Sequence, residues 1–192
     1  MDKSARRKDC FEKLSSLDKG TKSDYSEQIV SHLSKSEVFR KATSVFTYCA
    51  MPSEPDLADL FDQSPEKSWA FSRVDETGLL SFHRVDDAEQ LKNGPFGFAE
   101  PDPVRCPLIE PTQADLILVP GVGFTETTGA RLGRGKGHYD RFLELALSKD
   151  PAPAVVGVCF SIQFCDLEPE PHDIPMTSLI CESGWKLPHR SK

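Results

Sequence analysis

Short apolar runs that alternate with helical patterns constrain the fold of this chain more than any other feature. Residues 44–49, 115–120, 154–160 and 177–181 are rich in β-branched and aromatic residues, which is typical of buried strands. Segments with helical spacing lie between these runs, and that order predicts a layered α/β protein with a mostly parallel central sheet. We therefore expect a single three-layer α/β/α domain over residues 1–192, a common length for one domain.

Helical spacing of apolar residues marks the first part of the chain. It predicts a basic N-terminal helix over residues 1–18, which we expect Gly20 to end. A second helix is expected to follow, with Ser23 or Asp24 as its N-cap. Pro55 is compatible with the first turn of a short third helix.

The middle of the chain combines a hairpin pattern with a proline-rich stretch. Residues 69–74 and 79–85 read as two strands joined by a turn at 75–78. Residues 93–112 contain five prolines and two glycines, and we expect an extended loop there. The segment 138–147 has an apolar stripe at helical spacing and is predicted to be an amphipathic helix.

Composition and charge exclude several classes of protein. Hydrophobic residues make up 38% of the chain and charged residues 28%, as in ordinary globular proteins. A net charge of −7 argues against sequence-independent binding to nucleic acid, which requires a basic surface. We find no apolar window long enough to span a membrane and no apolar N-terminal segment of the secretory type. We expect a monomer whose partner is a small-molecule substrate.

The six cysteines form no C-x-x-C pair and match no zinc-binding spacing. Several lie in apolar runs, such as Cys159 in the segment 154–160. They are therefore interpreted as reduced core residues of a cytoplasmic protein.

A glycine-rich basic loop is the strongest indication of function. Between residues 131 and 141 four Lys or Arg side chains oppose one acidic residue, a local charge of +3 in an acidic chain. Glycines at 133, 135 and 137 allow backbone amides to approach an anion closely, and a helix follows directly. Arg and Lys add charged contacts to phosphate oxygens. The segment 121–140 is therefore predicted to bind phosphate.

The loop does not match the common nucleotide-binding motifs. Ala130 occupies the position of the first P-loop glycine, and Gly137 replaces its Ser or Thr. The G-x-G-x-G spacing also differs from the dinucleotide fingerprint. Asp140, in the first turn of the following helix, suits Mg²⁺ shared with phosphate. An acidic residue there is also commonly explained by the helix dipole alone.

These segments resemble the 5-formyltetrahydrofolate cyclo-ligase family. The resemblance is carried by V-P-G-V-G-F at 119–124 and by G-A-R-L-G-R-G-K-G-H-Y-D-R-F-L at 129–143. A basic pair in the first helix, the segment 48–54, the loop F-G-F-A-E-P at 96–101 and the pair H-D at 172–173 support it.

The resemblance implies a fold like that of the CoA-transferase-like superfamily and an ATP-dependent reaction. In that reaction, 5-formyltetrahydrofolate and MgATP give 5,10-methenyltetrahydrofolate, ADP and phosphate. The formyl oxygen takes the γ-phosphoryl group, and N10 then displaces phosphate. No protein nucleophile is required, so catalysis depends on positioning and charge stabilisation.

The resemblance also implies roles for individual residues, position by position. Arg134 and Lys136 would face the transferred phosphoryl group as catalytic residues. Asp140, together with Asp173, would hold Mg²⁺. Glu54 and Cys49 would bind the folate, joined by the loop residues from Arg134 to His138. The residues expected to contact ATP are Lys3, Arg7, Arg131, Leu132, Gly133, Arg134, Gly135, Lys136, Gly137, His138 and Tyr139.

Two positions depart from the family pattern. His138 stands where the family usually has a first tyrosine, which places a titratable ring near the phosphates. The acidic residue that often follows the pterin-contacting glutamate is present only as Asp56, after Pro55. Neither departure removes a phosphate-binding group.

Two other functions remain open at this stage. One is a catalytically silent paralogue that binds folate or nucleotide, although such a protein would be expected to have lost Arg134, Lys136 or Asp140. The other is a relative that handles sugar phosphates or CoA, which predicts a catalytic carboxylate near the phosphate loop. Glu126 is the acidic residue available for that role, but it lies in T-E-T-T, which resembles an exposed loop tip.

Overall fold

The computed structural model describes residues 2–94, 97–168, 170 and 173–189. Its helices are α1 Lys3–Ser16, α2 Lys19–Ser34, α3 Glu37–Lys41, α4 Ala58–Asp62 and α5 His138–Ala146. Its strands are β1 Ser44–Thr47, β2 Ser68–Val74, β3 Leu80–Arg84, β4 Leu91–Asn93, β5 Ala99–Pro101, β6 Leu108–Ile109, β7 Leu116–Pro120, β8 Gly123–Phe124, β9 Arg131–Leu132, β10 Ala154–Val158, β11 Ser178–Cys181 and β12 Gly184–Lys186.

The central sheet has the order β12-β11-β10-β7-β1-β2-β3-β6. Neighbouring strands from β11 to β2 run parallel. The remaining three strands, β12, β3 and β6, pair antiparallel at the two edges. The prediction of an α/β fold with a mostly parallel sheet is therefore confirmed.

Apolar residues cover both faces of the sheet. Along β7, Leu116 and Leu118 pack with the face covered by α1 to α4, whereas Ile117 and Val119 pack with the face covered by α5. This division follows from the alternation of side chains along a strand. Because both faces are covered, the central strands read as continuous apolar runs, as the sequence indicates.

The boundaries of the first two helices differ from the predicted ones. Helix α1 ends at Ser16, and α2 begins at Lys19 with Asp18 as its N-cap, because the Asp18 carboxylate accepts a hydrogen bond from the Thr21 amide. Gly20 therefore lies in the first turn of α2 and does not end α1. The prediction of a cap at Ser23 or Asp24 was wrong because Asp18 already satisfies the free amides at this end.

Two proline-containing segments also depart from expectation. Pro55 precedes α4 by three residues and lies outside its first turn. The region 93–112, predicted to be a loop, contributes to three short strands: β4 and β5 pair with each other, and β6 extends the central sheet. Short antiparallel pairs tolerate proline where its missing N–H is not needed.

The glycine-rich segment contains a small antiparallel pair, β8–β9, that the sequence pattern did not predict. Thr125, expected at an exposed loop tip, is 6% exposed. Its hydroxyl donates to the Cys165 carbonyl and accepts from the Leu167 amide, which holds the tip against the body of the protein.

All six cysteines are free thiols, and four of them are buried, as expected. Trp69 and Phe82, which the sequence places in the core, are 2% and 0% exposed. Within the described ranges, none of the helices combines the length and apolar character required to cross a membrane.

One carboxylate connects the starts of the central strands. Asp115 accepts hydrogen bonds from the amides of Thr43 and Ser44 just before and at the start of β1, and it pairs with Lys149 after α5. Burial alone would raise the pKa of Asp115, but the hydrogen bonds from Thr43, Ser44 and Lys149 outweigh burial and lower the pKa to about 2. The native state therefore favours ionised Asp115.

We predict that Asp115→Asn lowers the free energy of unfolding at pH 7 by about 1–2 kcal/mol, a value reduced for solvent screening of this one-third exposed group. Because the folded pKa is depressed, the contribution is complete above the ordinary pKa of 3.8 and disappears as the pH falls through about 2. Urea unfolding of wild type and variant at several pH values measures this difference. Asp24→Asn, at an exposed position on α2, is the control and should have little effect.

Candidate active site

A cavity of about 940 Å³ opens where the carboxyl ends of β1, β2 and β7 meet the glycine-rich loop. Ligands of open α/β sheets bind at this end of the strands. The N-terminal helix α1 forms another wall of the cavity. All the predicted site residues line this cavity: Lys3, Arg7, Cys49, Glu54, Arg131, Leu132, Gly133, Arg134, Gly135, Lys136, Gly137, His138, Tyr139, Asp140 and Asp173.

The glycine-rich loop curls before α5 because two of its residues adopt left-handed backbone conformations. Gly135 has φ +98° and Gly137 has φ +63°, values that residues other than glycine rarely adopt. Gly137 is also the N-cap of α5 and provides no side chain to satisfy the first helical amides. A helix start of this kind leaves amides and a positive dipole end available to an anion.

Helix α1 makes two long-range contacts beside the cavity, one to this loop and one to the segment around Asp173. Arg7 Nε donates to the Gly133 carbonyl at 2.8 Å. Lys3 Nζ lies 2.8 Å from Asp173 Oδ2 and 3.1 Å from Glu170 Oε2. Burial lowers the pKa of Lys3, but the hydrogen bonds to Asp173 and Glu170 outweigh it and raise that pKa overall. The ammonium group therefore remains charged at the edge of the cavity.

The cations around the cavity differ in whether they already have carboxylate partners. Lys3, Arg131 and Arg134 form ion pairs with acidic residues. Within the described part of the chain, Arg7 and Lys136 have no carboxylate within ion-pair distance. Two positive charges without carboxylate partners beside a glycine-rich helix start favour a polyanionic ligand.

Arg131 is more deeply buried than a loop cation usually is, since 6% of its side chain is exposed. Its guanidinium pairs with Asp140 at 3.0 Å and lies 5.3 Å from the centre of the Tyr139 ring. Arg131 Nε and the Tyr139 hydroxyl are buried without hydrogen-bond partners in the described structure. Burial raises the pKa of Tyr139, so its hydroxyl stays protonated at neutral pH.

The two predicted metal ligands lie close together. Asp140 Oδ1 accepts a long hydrogen bond of 3.4 Å from the Ile174 amide, directly after Asp173. Mg²⁺ is commonly bound by one or two carboxylates together with phosphate oxygens and waters, and these two residues fit that requirement. Among the described residues no group of three or more His, Cys, Asp and Glu side chains forms a metal site made of protein alone.

Glu54 and Arg134, predicted to bind different parts of the substrates, contact each other. Arg134 Nη2 lies 3.3 Å from Glu54 Oε1 and 3.2 Å from the Ser53 hydroxyl. The Glu54 side chain is 7% exposed, and its other oxygen accepts from the Met51 amide. Arg134 is 43% exposed and also lies over the Phe11 ring. The carboxylate is thus the fixed partner, and the guanidinium is the one able to move.

Cys49 lies next to the strand end of β1, on the wall of the cavity. Burial, with a smaller effect from Asp56 and then Glu100, raises the pKa of its thiol to about 12. The group is therefore a neutral thiol and suits an apolar wall rather than a nucleophile.

His138 lies at the start of α5 against the β2–β3 turn, where its Nε2 is 3.7 Å from the position that a Cβ on Gly78 would take. Burial lowers the pKa of His138 below its ordinary value of 6.5, and the charges of Arg141 and Lys136 lower it further. The ring is therefore neutral at pH 7.

Three further residues were linked to an alternative function or to the supporting motifs. Glu126 is paired with Lys186 at 3.2 Å and does not line the cavity. It therefore cannot serve as the catalytic carboxylate that a sugar-phosphate or CoA-handling protein would require. Phe96 and His172, part of two supporting motifs, lie outside the described residues.

Sequence reasoning missed several residues of the cavity wall, among them Ser53, Ser72, Arg73 and Glu100. Glu100 is part of the motif 96–101 quoted for the resemblance, but nothing in that motif indicated a position in the cavity. Its neighbours on β2, Ser72 and Arg73, lie on an ordinary strand pattern that carries no functional signal.

Comparison with known proteins identifies the family of this chain. The model of the 5-formyltetrahydrofolate cyclo-ligase family matches residues 1–182. A 5-formyltetrahydrofolate cyclo-ligase of Saccharomyces cerevisiae is 35% identical over 119 residues, 58% of this chain and 55% of the yeast protein. One from Mycolicibacterium smegmatis is 41% identical over 86 residues, 44% of this chain and 42% of that protein. The chain thus spans about half the length of these curated relatives.

Solved structures match over a greater length. The structure of a 5,10-methenyltetrahydrofolate synthetase from Aquifex aeolicus is 34% identical, with a TM-score of 0.84, over 100% of this chain and 95% of that chain. One from Mycoplasma pneumoniae has a TM-score of 0.75 at 22% identity, covers 95% of this chain and 99% of that chain, and supports the fold alone. With the family model matched from residue 1 to residue 182, the chain belongs to the 5-formyltetrahydrofolate cyclo-ligase family.

Proposed function

We propose that this chain is a ligase that converts 5-formyltetrahydrofolate to 5,10-methenyltetrahydrofolate, with ATP converted to ADP and phosphate. One arrangement carries the proposal: Arg7 and Lys136 lie beside a glycine-rich helix start in the same cavity as the buried carboxylate of Glu54. Neither cation has a carboxylate partner among the residues that the structure describes. The cations suit a triphosphate, and the carboxylate suits the N–H groups of a reduced pterin.

In the proposed reaction the formyl oxygen attacks the γ-phosphorus of ATP, and ADP leaves. N10 of the folate then attacks the formyl carbon and loses its proton, and the bond to the phosphorylated oxygen breaks to release phosphate. Lys136 and Arg7 stabilise the charge that develops on the transferred group. Mg²⁺, held by Asp140 with Asp173, would neutralise part of the negative charge on the phosphate oxygens.

Arg134 has two tasks in this proposal. Its guanidinium pairs with Glu54 at 3.3 Å. A pterin that donates N–H groups to Glu54 competes for the same oxygen and releases the guanidinium toward the transferred phosphoryl group. Arg134 is half-exposed, so this movement does not require a change in the core.

The proposal includes a monomeric protein in the cytoplasm. The six free thiols support a reducing compartment. The silent-paralogue alternative is not favoured, because Arg134, Lys136 and Asp140 are all present and all line the cavity.

The first test measures ADP release and the absorbance of the methenyl product with 5-formyltetrahydrofolate and MgATP. We predict turnover that requires both substrates. ATP hydrolysis independent of folate, or folate binding without any product, would contradict the proposed activity.

A second test removes the Lys136 ammonium. We predict that Lys136→Ala lowers kcat/KM for ATP by about 10²-fold or more, because a preorganised charge is lost at the transferred group. Steady-state kinetics at saturating folate measure this change. Lys41→Ala, at an exposed lysine on α3, is the matched control and should behave as wild type. Equal kinetics for both variants would remove Lys136 from the site.

The lowered pKa of His138 leads to a third prediction. Because this pKa lies below 6.5, the ring is mostly neutral at pH 7 and above and adds little charge beside the phosphates. We therefore predict that wild type and His138→Tyr, which restores the family tyrosine, show the same pH dependence of kcat/KM between pH 7 and about 8. A titration in this interval seen only in the wild-type protein would show that His138 changes charge during catalysis.

A further inference from the structure

The cavity has a second buried carboxylate besides Glu54. Glu100 lies on β5, in the short β4–β5 pair that the sequence pattern did not predict. The residue is 4% exposed, yet it lines the cavity. A carboxylate so far from bulk solvent requires compensating charge or hydrogen bonds.

Glu100 is held rigidly by its surroundings. Arg73 Nη1, on β2, lies 3.0 Å from Glu100 Oε1 and donates to the Pro101 carbonyl at 3.0 Å. The side chain also packs closely on Gly94, where a Cβ would lie 2.5 Å from Glu100 Cδ. The side chain therefore has little freedom to leave the cavity wall.

The ion pair with Arg73 uses only part of the hydrogen-bonding capacity of Glu100. Apart from Arg73, none of the described residues donates an N–H or O–H group to either oxygen. Buried carboxylates usually accept several such bonds. The Arg73 guanidinium likewise has N–H groups beyond its bond to Pro101. The pair thus presents an acceptor beside a donor to the cavity.

The chemistry of this pair limits the ligand group that it suits. An anionic phosphate is disfavoured beside a carboxylate, and the phosphate-binding cations lie on the glycine-rich loop. A planar group with an N–H beside a carbonyl oxygen satisfies both partners, and a reduced pterin ring has that arrangement. Glu100 also lies close enough to Cys49, a predicted folate contact, for its charge to contribute to the raised pKa of that thiol.

We propose that Glu100 is a second pterin-binding carboxylate, which accepts an N–H of 5-formyltetrahydrofolate while Arg73 positions it. This inference rests on the proposed function and adds a folate contact to it. Glu54 and Glu100 would then hold the ring from two walls of one cavity, which fixes its orientation toward the phosphate loop.

A purely structural role for the pair is the main alternative. The β4–β5 pair packs on β2, and the Arg73–Glu100 contact joins the two. Removing one partner of a buried ion pair is strongly destabilising, whereas replacing both by apolar residues is often tolerated. Single and paired variants therefore separate stability from ligand binding.

The test measures calorimetric affinities for 5-formyltetrahydrofolate and, separately, for a non-hydrolysable ATP analogue, together with Tm. We expect Glu100→Ala to weaken folate binding about 10- to 100-fold, the loss of a hydrogen bond to a charged group, and to change nucleotide affinity little. Glu100→Gln retains a carbonyl acceptor and should lose less. The paired variant Arg73→Met with Glu100→Met should recover Tm but not folate affinity.

Asp102→Asn is the control, because Asp102 pairs with Lys92 beside the same strands but does not line the cavity. It should leave both affinities unchanged.

Recovery of folate affinity in the paired variant would show that the ion pair is only structural. A selective loss of nucleotide affinity in Glu100→Ala would assign Glu100 to adenine instead. Either result leaves the proposed function intact. A wild-type protein that does not bind folate contradicts both the proposed function and the proposed role of Glu100.

Discussion

The attachment of α1 to the glycine-rich loop is the contact on which the rest of the site depends. Arg7 bonds to the Gly133 carbonyl and Lys3 to Asp173, so that residues more than 120 positions apart form one wall. Without that contact the loop would be a solvated turn with scattered charges. With it, the cations from α1 and from the loop face a common volume. Asp140, at the end of the same loop, accepts a hydrogen bond from the Ile174 amide, which brings it close to Asp173.

Charge is distributed unevenly in the cavity, and this distribution suits the two substrates of the proposed reaction. Arg7 on α1 and Lys136 just before α5 have no carboxylate partners in the described structure and suit phosphate. The buried carboxylates of Glu54 and Glu100 line the same cavity and suit N–H donors of a pterin. Arg134 links the two sets, since it pairs with Glu54 yet is exposed enough to turn toward a phosphoryl group. Catalysis by positioning requires this kind of preorganised arrangement.

Prediction succeeded where a residue pattern is long or repeats locally. The apolar runs that form β1, β7, β10 and β11 were identified because burial on two faces leaves a continuous apolar run. The stripe of α5 was identified because burial on one face leaves a helical period. It failed at β4, β5 and β6, each of two or three residues, because strands so short have no periodicity and are held by pairing across the sheet. The α2 cap was misplaced because Ser23, Asp24 and Asp18 are all plausible caps, and only the backbone geometry distinguishes them.

The sequence by itself determined the layered α/β order, the basic and glycine-rich character of the 121–140 loop and, through resemblance, the family. These properties are encoded in contiguous residues, whose spacing and charge can be read without knowing the fold. Only the tertiary structure decided which charges are paired: Arg131 with Asp140, Arg134 with Glu54, and Arg73 with Glu100. Two of these pairs join residues that are far apart in the chain, and their distances follow from the strand order and the packing of loops, which no local pattern records.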